Sequence, residues 1–203
     1  MSELLLYLLP GMMYLWVLFI GQGPMQEVLH ERDTHILSRI LASPVTLSQF
    51  VLSKMIRCFV LCGLGLFLLV VLTSLLFRIH WGNAPTLGLV IAACALSMTG
   101  LLAFLYSLAR TREQASVMPT VFLLVIAMAG GNMFPFENLP AFLQMVGRFT
   151  PNRWGVLALQ GVAASKPMVE LLKPLIGLVA LGAMGSVTAL FLFRRQLAGG
   201  RAR

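Results

Sequence analysis

The residues able to do chemistry stand at the edges of this chain's apolar runs rather than inside them. The carboxylates Glu3, Glu27, Glu31, Asp33, Glu113, Glu137 and Glu170 lie at run ends or between runs, as do His30, His35 and His80. An ion-coupled carrier usually holds a charge at mid-membrane; no run has one at its centre, so proton or sodium coupling through these segments is not expected. ATP hydrolysis would need G-x-x-x-x-G-K-[ST], whose backbone amides cradle phosphate. That string is missing, and Gly21-Gln22-Gly23 and Gly63-Leu64-Gly65 lack the third glycine of a dinucleotide site. Neither G-x-S-x-G nor H-E-x-x-H is present, which argues against a hydrolase or metalloprotease. Cys58 and Cys62 share a helix face, but no His or carboxylate accompanies them; with Cys94 they read as small hydrophobes. No catalytic residue, bound cofactor or metal is expected on this chain.

The densest polar stretch is Glu27 to Pro44, EVLHERDTHILSRILASP. Leu29, Ile36, Leu37, Ile40 and Leu41 recur at roughly helical spacing, with Asp33 a polar break, while Arg32, His35, Ser38 and Arg39 fall on the other side. Ser43-Pro44 ends the pattern, since the residue before proline avoids helix. The spacing predicts an amphipathic helix over about 28–43. Beside membrane spans, such a helix can lie along the surface or dock on a soluble partner.

The elements around it follow from composition. The 203 residues are 59% hydrophobic and only 11% charged, with mean hydropathy +0.89. A soluble core of this size could not absorb that much apolar surface, so the chain is read as an integral membrane protein. The net charge of +8 is spread between apolar runs rather than gathered on one face, which argues against nucleic acid as a partner. The 12 methionines read mainly as gap-filling, lipid-facing residues. The fold expected is an all-α polytopic helix bundle, one domain over 1–203, with spans near 4–21, 50–77, 86–108, 115–134 and 171–193. Thr46-x-x-Gln49 and Thr111-x-x-Gln114 read as capping boxes that start the second and fourth of these. Trp81, in the polar turn after the second, reads as an interfacial anchor.

Between Asn132 and Lys173 the apolar segments are about a dozen residues long, too short to span and suited to interfacial or re-entrant helices. The pattern predicts two, near 139–149 and 153–164, with Asn138 and Asn152 as their N-caps. Of the 15 basic residues, ten gather on one side (32, 39, 54, 57, 110, 112, 194, 195, 201 and 203) and five on the other (78, 148, 153, 166 and 173). The richer side is expected to be cytoplasmic, which puts the N-terminus outside and the C-terminus inside.

Three stretches in order resemble one family: HERDTHILSRILASPVTLSQFVLSKM (30–55), SLARTREQASVM (107–118) and GNMFPFENLPAFLQMVGRFTPNRWGVLALQGV (131–162). They are similar to the coupling-helix stretch, the A-R-T-x-x-Q turn and the F-P-x-x-x-L-P…P re-entrant pair of ABC type-2 exporter permeases. The family's Gly-Thr reads Asp33-Thr34 or Thr34-His35 here, and its upstream first span and extracellular domain are not expected. The resemblance implies a permease in the plasma (inner) membrane that pairs with a second permease copy, in a homo- or heterodimer, and with ATP-binding subunits. Those subunits would hold ATP and Mg and drive export of an unspecified substrate. It implies that Glu31, Arg32, His35, Ile36, Arg39 and Ile40 of a cytoplasmic coupling helix contact the ATPase subunit. It further implies an extracellular re-entrant gate comprising Asn132, Phe134, Pro135, Leu139, Pro140, Pro151 and Trp154. The alternative is a truncated or non-transporting membrane scaffold derived from such a permease.

Overall fold

In a solvent that offers no hydrogen bonds, each backbone N–H and C=O must be satisfied within its own segment, which leaves helix as the solution for separate apolar runs. The computed structural model, which describes residues 2–34, 36, 46–109 and 111–199, is accordingly all-α, with no strand among those residues. The helices are α1 (Ser2–Asp33), α2 (Leu47–Phe77), α3 (Ala84–Leu108), α4 (Arg112–Gly130), α5 (Ala141–Gly147), α6 (Pro151–Ala163) and α7 (Met168–Gly199), with a 3-10 turn at Phe136–Asn138. Five of them are long and apolar enough to cross a membrane: α1 over Leu8–Glu31, α2, α3, α4, and α7 over Met168–Arg195. The chain is a multi-pass helical membrane protein.

Local chemistry sets several of the ends. Thr46 takes the Gln49 N–H on its hydroxyl, and the Gln49 side chain takes the Thr46 N–H at 2.8 Å, a complete capping box. Thr111 accepts from the Gln114 N–H at 3.2 Å. Gly131, at φ +79°, closes α4 in the left-handed region that favours glycine.

The buried centre is α3. Within its spanning window 61% of residues are buried, against 22% for α2, whose outer face carries Phe59, Leu64, Phe67 and Leu75 exposed. Helix α7 packs along α3 through small residues. A Cβ on Gly182 would lie 2.8 Å from the Leu96 carbonyl, and one on Gly185 would lie 2.7 Å from the Gly100 oxygen. Lipid tails are as apolar as leucine, so such close approach supplies dispersion contact where solvent exclusion cannot. The seam between α1 and α2 is similar in kind, with Gly65 on Val17 and Gly21 on Cys62, and Gly21 also meets Leu102 of α3.

Three local expectations are corrected. The first helix does not stop near residue 21 before a separate amphipathic helix: α1 is continuous through Pro24 to Asp33. Met25, Val28 and Leu29 are buried, and this burial holds the helix past its proline. His35 and residues 37–45 of the expected 28–43 helix lie outside the described residues. Asn138 and Asn152 do not cap the short helices. Pro140 precedes α5, and the Thr150 side chain takes the Arg153 N–H to cap α6 two residues earlier than expected. Trp81 does not present its ring outward as expected of an interfacial anchor. It is buried and donates its indole N–H to Thr73 Oγ1 at 3.2 Å, folding the connection back onto α2.

Candidate functional site

The described polar groups concentrate in three places, two near opposite ends of the bundle and one within it. At the end shared by the C-terminus of α1 and the N-terminus of α2, four charges meet. Glu27 and Glu31 are one turn apart on α1; Lys54 and Arg57 are one turn apart on α2. Lys54 Nζ donates to Glu31 Oε1 at 2.7 Å and to Glu27 Oε2 at 2.9 Å, and Arg57 Nη1 donates to Glu27 Oε2 at 2.7 Å. The Lys54 side chain is 13% exposed and that of Glu31 is 20% exposed, so the pair is shielded by the helices that carry it. These charges precede the apolar run Cys58–Phe77, which by itself is long enough to cross the hydrocarbon. Glu27 also borders an open groove of about 320 Å³, together with Gly23, Gln26, His30 and Arg112.

Of the residues expected to contact an ATPase subunit, Glu31 is therefore engaged within the chain. Arg32 lies in the last turn of α1, Ile36 is exposed, and His35, Arg39 and Ile40 are outside the described residues. Lys54 and Arg57 were not among them, nor was Glu27. The signal for all three was available: two antiparallel helices joined by a short connection bring opposite charges near their common end face to face.

At the opposite end, α4 passes through the 3-10 turn to α5 and α6. Asn132 is buried and its Nδ2 donates to the Gly11 carbonyl at 3.1 Å, tying the end of α4 to α1. Phe134 is exposed; Pro135, Leu139 and Pro151 are half-buried; Pro140 is exposed. Trp154 donates its indole N–H to the Arg148 carbonyl at 2.9 Å, and its ring fills the space above Gly177 of α7. The seven expected gate residues thus share one end of the bundle without forming one contact cluster. Arg153, which was missed, lies nearer the centre of this region. Its guanidinium stacks 3.9 Å from the Phe136 ring centroid and lies 3.8 Å from a Glu137 carboxylate oxygen. Asn152 is fully buried with neither amide atom hydrogen-bonded, and Asn132 Oδ1 is likewise buried without a partner. Both surround Gly130, where a Cβ would lie 2.7 Å from Asn152 Cβ and 3.0 Å from Asn132 Oδ1.

Inside the bundle one amide joins three helices. Gln22 Oε1 of α1 accepts from the Tyr106 hydroxyl of α3 at 3.2 Å and from Thr120 Oγ1 of α4 at 3.1 Å. Cys58 and Cys62 pack against Gly21 beside it, with their sulfurs 4.0 Å apart and the Cys58 thiol 3.3 Å from the Gly21 carbonyl. No group of three or more His, Cys, Asp or Glu with metal-binding geometry occurs among the described residues.

Comparison with known proteins bears on this architecture. The chain is similar to the linearmycin resistance permease protein LnrN of Bacillus subtilis (strain 168), with 24% identity over 155 residues, covering 76% of this chain and 40% of that protein. It is also similar to the probable multidrug ABC transporter permease YbhR of Escherichia coli (strain K12), with 24% identity over 128 residues, 63% of this chain and 35% of that one. The matched region thus spans well under half the length of each relative. No solved structure matches. The model of the ABC-2 family transporter proteins matches residues 2–192, nearly the whole chain. With five helices able to span and a match of that extent, the chain belongs to the ABC-2 family of transporter proteins.

Proposed function

We propose that this chain is the transmembrane permease part of an ATP-driven ABC exporter, lining the substrate path and taking its energy from a separate ATP-binding subunit. The observation that carries this reading is family membership over residues 2–192 in a chain with no phosphate loop. Nucleotide chemistry then belongs to a partner that holds ATP and Mg. The names of two relatives, one for linearmycin resistance and one for multidrug transport, support outward movement of cargo. On this reading the residues between α1 and α2, with Glu31, Arg32, His35, Ile36, Arg39 and Ile40 among them, face the cytoplasm and receive the partner. The region from Asn132 to Lys173 faces outward as the gate, and a second permease copy completes the path across the plasma membrane.

The test is recovery and turnover. Affinity-tagged chain taken from its native membrane in mild detergent is expected to bring down an ATPase that carries a phosphate loop, and the complex is expected to hydrolyse Mg-ATP. Purified chain that hydrolyses ATP free of any companion, or a tagged chain that recovers no such ATPase, overturns the reading.

A further inference from the structure

The charge cluster between α1 and α2 lies near the common end of the two helices, beside the buried Phe50 and Val51. The two helices are joined by buried side chains: Val17 on Gly65, then Gly21 on Cys62, with Met25, Val28 and Leu29 of α1 and Val51 and Met55 of α2 in the same buried core. Beyond that, α1 ends at Asp33, and α2 begins at Leu47 behind its Thr46 cap. The sequence between those two residues joins this pair of helix ends. Near these ends Lys54 holds two carboxylates of α1 at once, at 2.7 Å and 2.9 Å. Arg57 completes the set on Glu27, so two cations meet two anions and the cluster is formally neutral.

An exposed ion pair of this kind contributes little, because water competes for both partners and long side chains lose freedom. Lys54 departs from that case: its side chain is largely covered and its ammonium lies 5.7 Å from the Phe50 ring centroid. Carboxylates spaced one turn apart also fix more than proximity. A cation bridging them resists sliding of α1 along α2 and rotation of α1 about its axis, since either movement breaks one bond while keeping the other. The cluster therefore sets the register of the two helix ends that flank residues 34–46, through directional bonds that nonpolar contacts lack.

We propose that Lys54 is a positioning residue for energy coupling: by bridging Glu27 and Glu31 it locks the ends of α1 and α2, and so fixes how the segment after Asp33 is presented to the ATP-binding subunit. This rests on the permease reading above and adds to it a residue outside the expected contact segment, one that acts through α1 rather than by touching the partner.

The experiment uses the complex of the full chain with the ATPase that co-purifies with it, in membranes and then in proteoliposomes. A photo-crosslinking amino acid at Ile36, which is exposed, reports presentation of the segment, and Mg-ATP turnover reports coupling. Lys54→Met is expected to leave membrane level and ATPase recovery near wild type while lowering both crosslink yield and turnover about tenfold, the factor set by 1.4 kcal/mol. Lys54→Arg is expected to restore most of both, since it keeps the cation. The exchanged pair, Lys54→Glu with Glu31→Lys, preserves total charge and is expected to recover at least half of the loss, even if the single substitutions fold poorly. If Lys54→Met crosslinks and turns over ATP as wild type does, the positioning role is wrong and the permease reading stands. If neither rescue variant improves on Lys54→Met, the residue is needed only as a lysine-shaped packing element, and the proposal fails. If the unaltered chain recovers no ATPase, the permease reading fails and takes this proposal with it.

Discussion

Gly100 of α3 and Gly182 of α7 approach so closely that a Cβ on either would collide with the backbone of the other helix. The most buried helix and the last helix are thus joined at a point where no side chain larger than hydrogen fits. Gly182→Leu is expected to force the two apart and cost about 1–3 kcal/mol, in the range for overpacked cores. Gly88 in the same α3 has open space around it, so Gly88→Ala is expected to be neutral or slightly stabilising. Thermal unfolding of the two variants in one detergent checks the contrast; equal midpoints would contradict the packing described.

The amide of Gln22 accepts two hydroxyl bonds from different helices. Hydrogen bonds between membrane helices are worth about 0.6 kcal/mol on average, because the unfolded chain in lipid also finds partners. Tyr106→Phe and Thr120→Val are each expected to lower stability by roughly that amount. Both donors share one acceptor atom, so the double variant is expected to depart from additivity. Unfolding titrations in sodium dodecyl sulfate, run as a double-mutant cycle, provide the measurement.

Sidedness is open to direct chemistry because Cys58, Cys62 and Cys94 are all buried and give little background. A cysteine at Asn138 is expected to react with a membrane-impermeant maleimide in intact cells. One at Ile36 is expected to react only after the membrane is opened. The opposite pattern reverses the proposed orientation.

The two buried asparagines near Gly130 are expected to behave differently. Asn132 spends its amide N–H on the Gly11 carbonyl, so Asn132→Leu loses a bond and is expected to destabilise by about 1 kcal/mol. Asn152 has no hydrogen bond at either amide atom. Leucine there removes an uncompensated polar group, and Asn152→Leu is expected to raise stability by about 1 kcal/mol. A stability assay showing both substitutions equally harmful would mean that the Asn152 amide has a partner, such as ordered water, in the folded protein.

How far this could be read from the sequence depends on the range of the interaction. The threonine caps at Thr46 and Thr111 were legible because a side chain and an N–H three residues on decide them. The length and hydrophobicity of five runs were legible for the same reason. Asn152 was mistaken for a cap because it is a good capping type; Thr150, two residues earlier, won the position with Pro151 behind it in the first turn. Trp81 was assigned to the interface on its residue type, yet Thr73, eight residues back, offered its indole an acceptor inside the protein. Lys54 with Glu31, and Gln22 with Tyr106 and Thr120, join residues 23 to 98 apart in sequence. Hydrophobic periodicity carries no information about which polar groups of different helices will meet.

Helix α1 has the lowest mean hydropathy of the five spanning windows, 1.2 against 2.7 for α2, yet more than half of its window is buried by the others. Lipid alone would hold such a segment weakly, and Gln22 weakens it further. Its tenure in the bilayer is conferred by its neighbours. Until α3 and α4 are in place, α1 has no hydroxyl for its amide and only α2 beside it. Packing of α3 and α4 against it supplies both the hydroxyls and further cover.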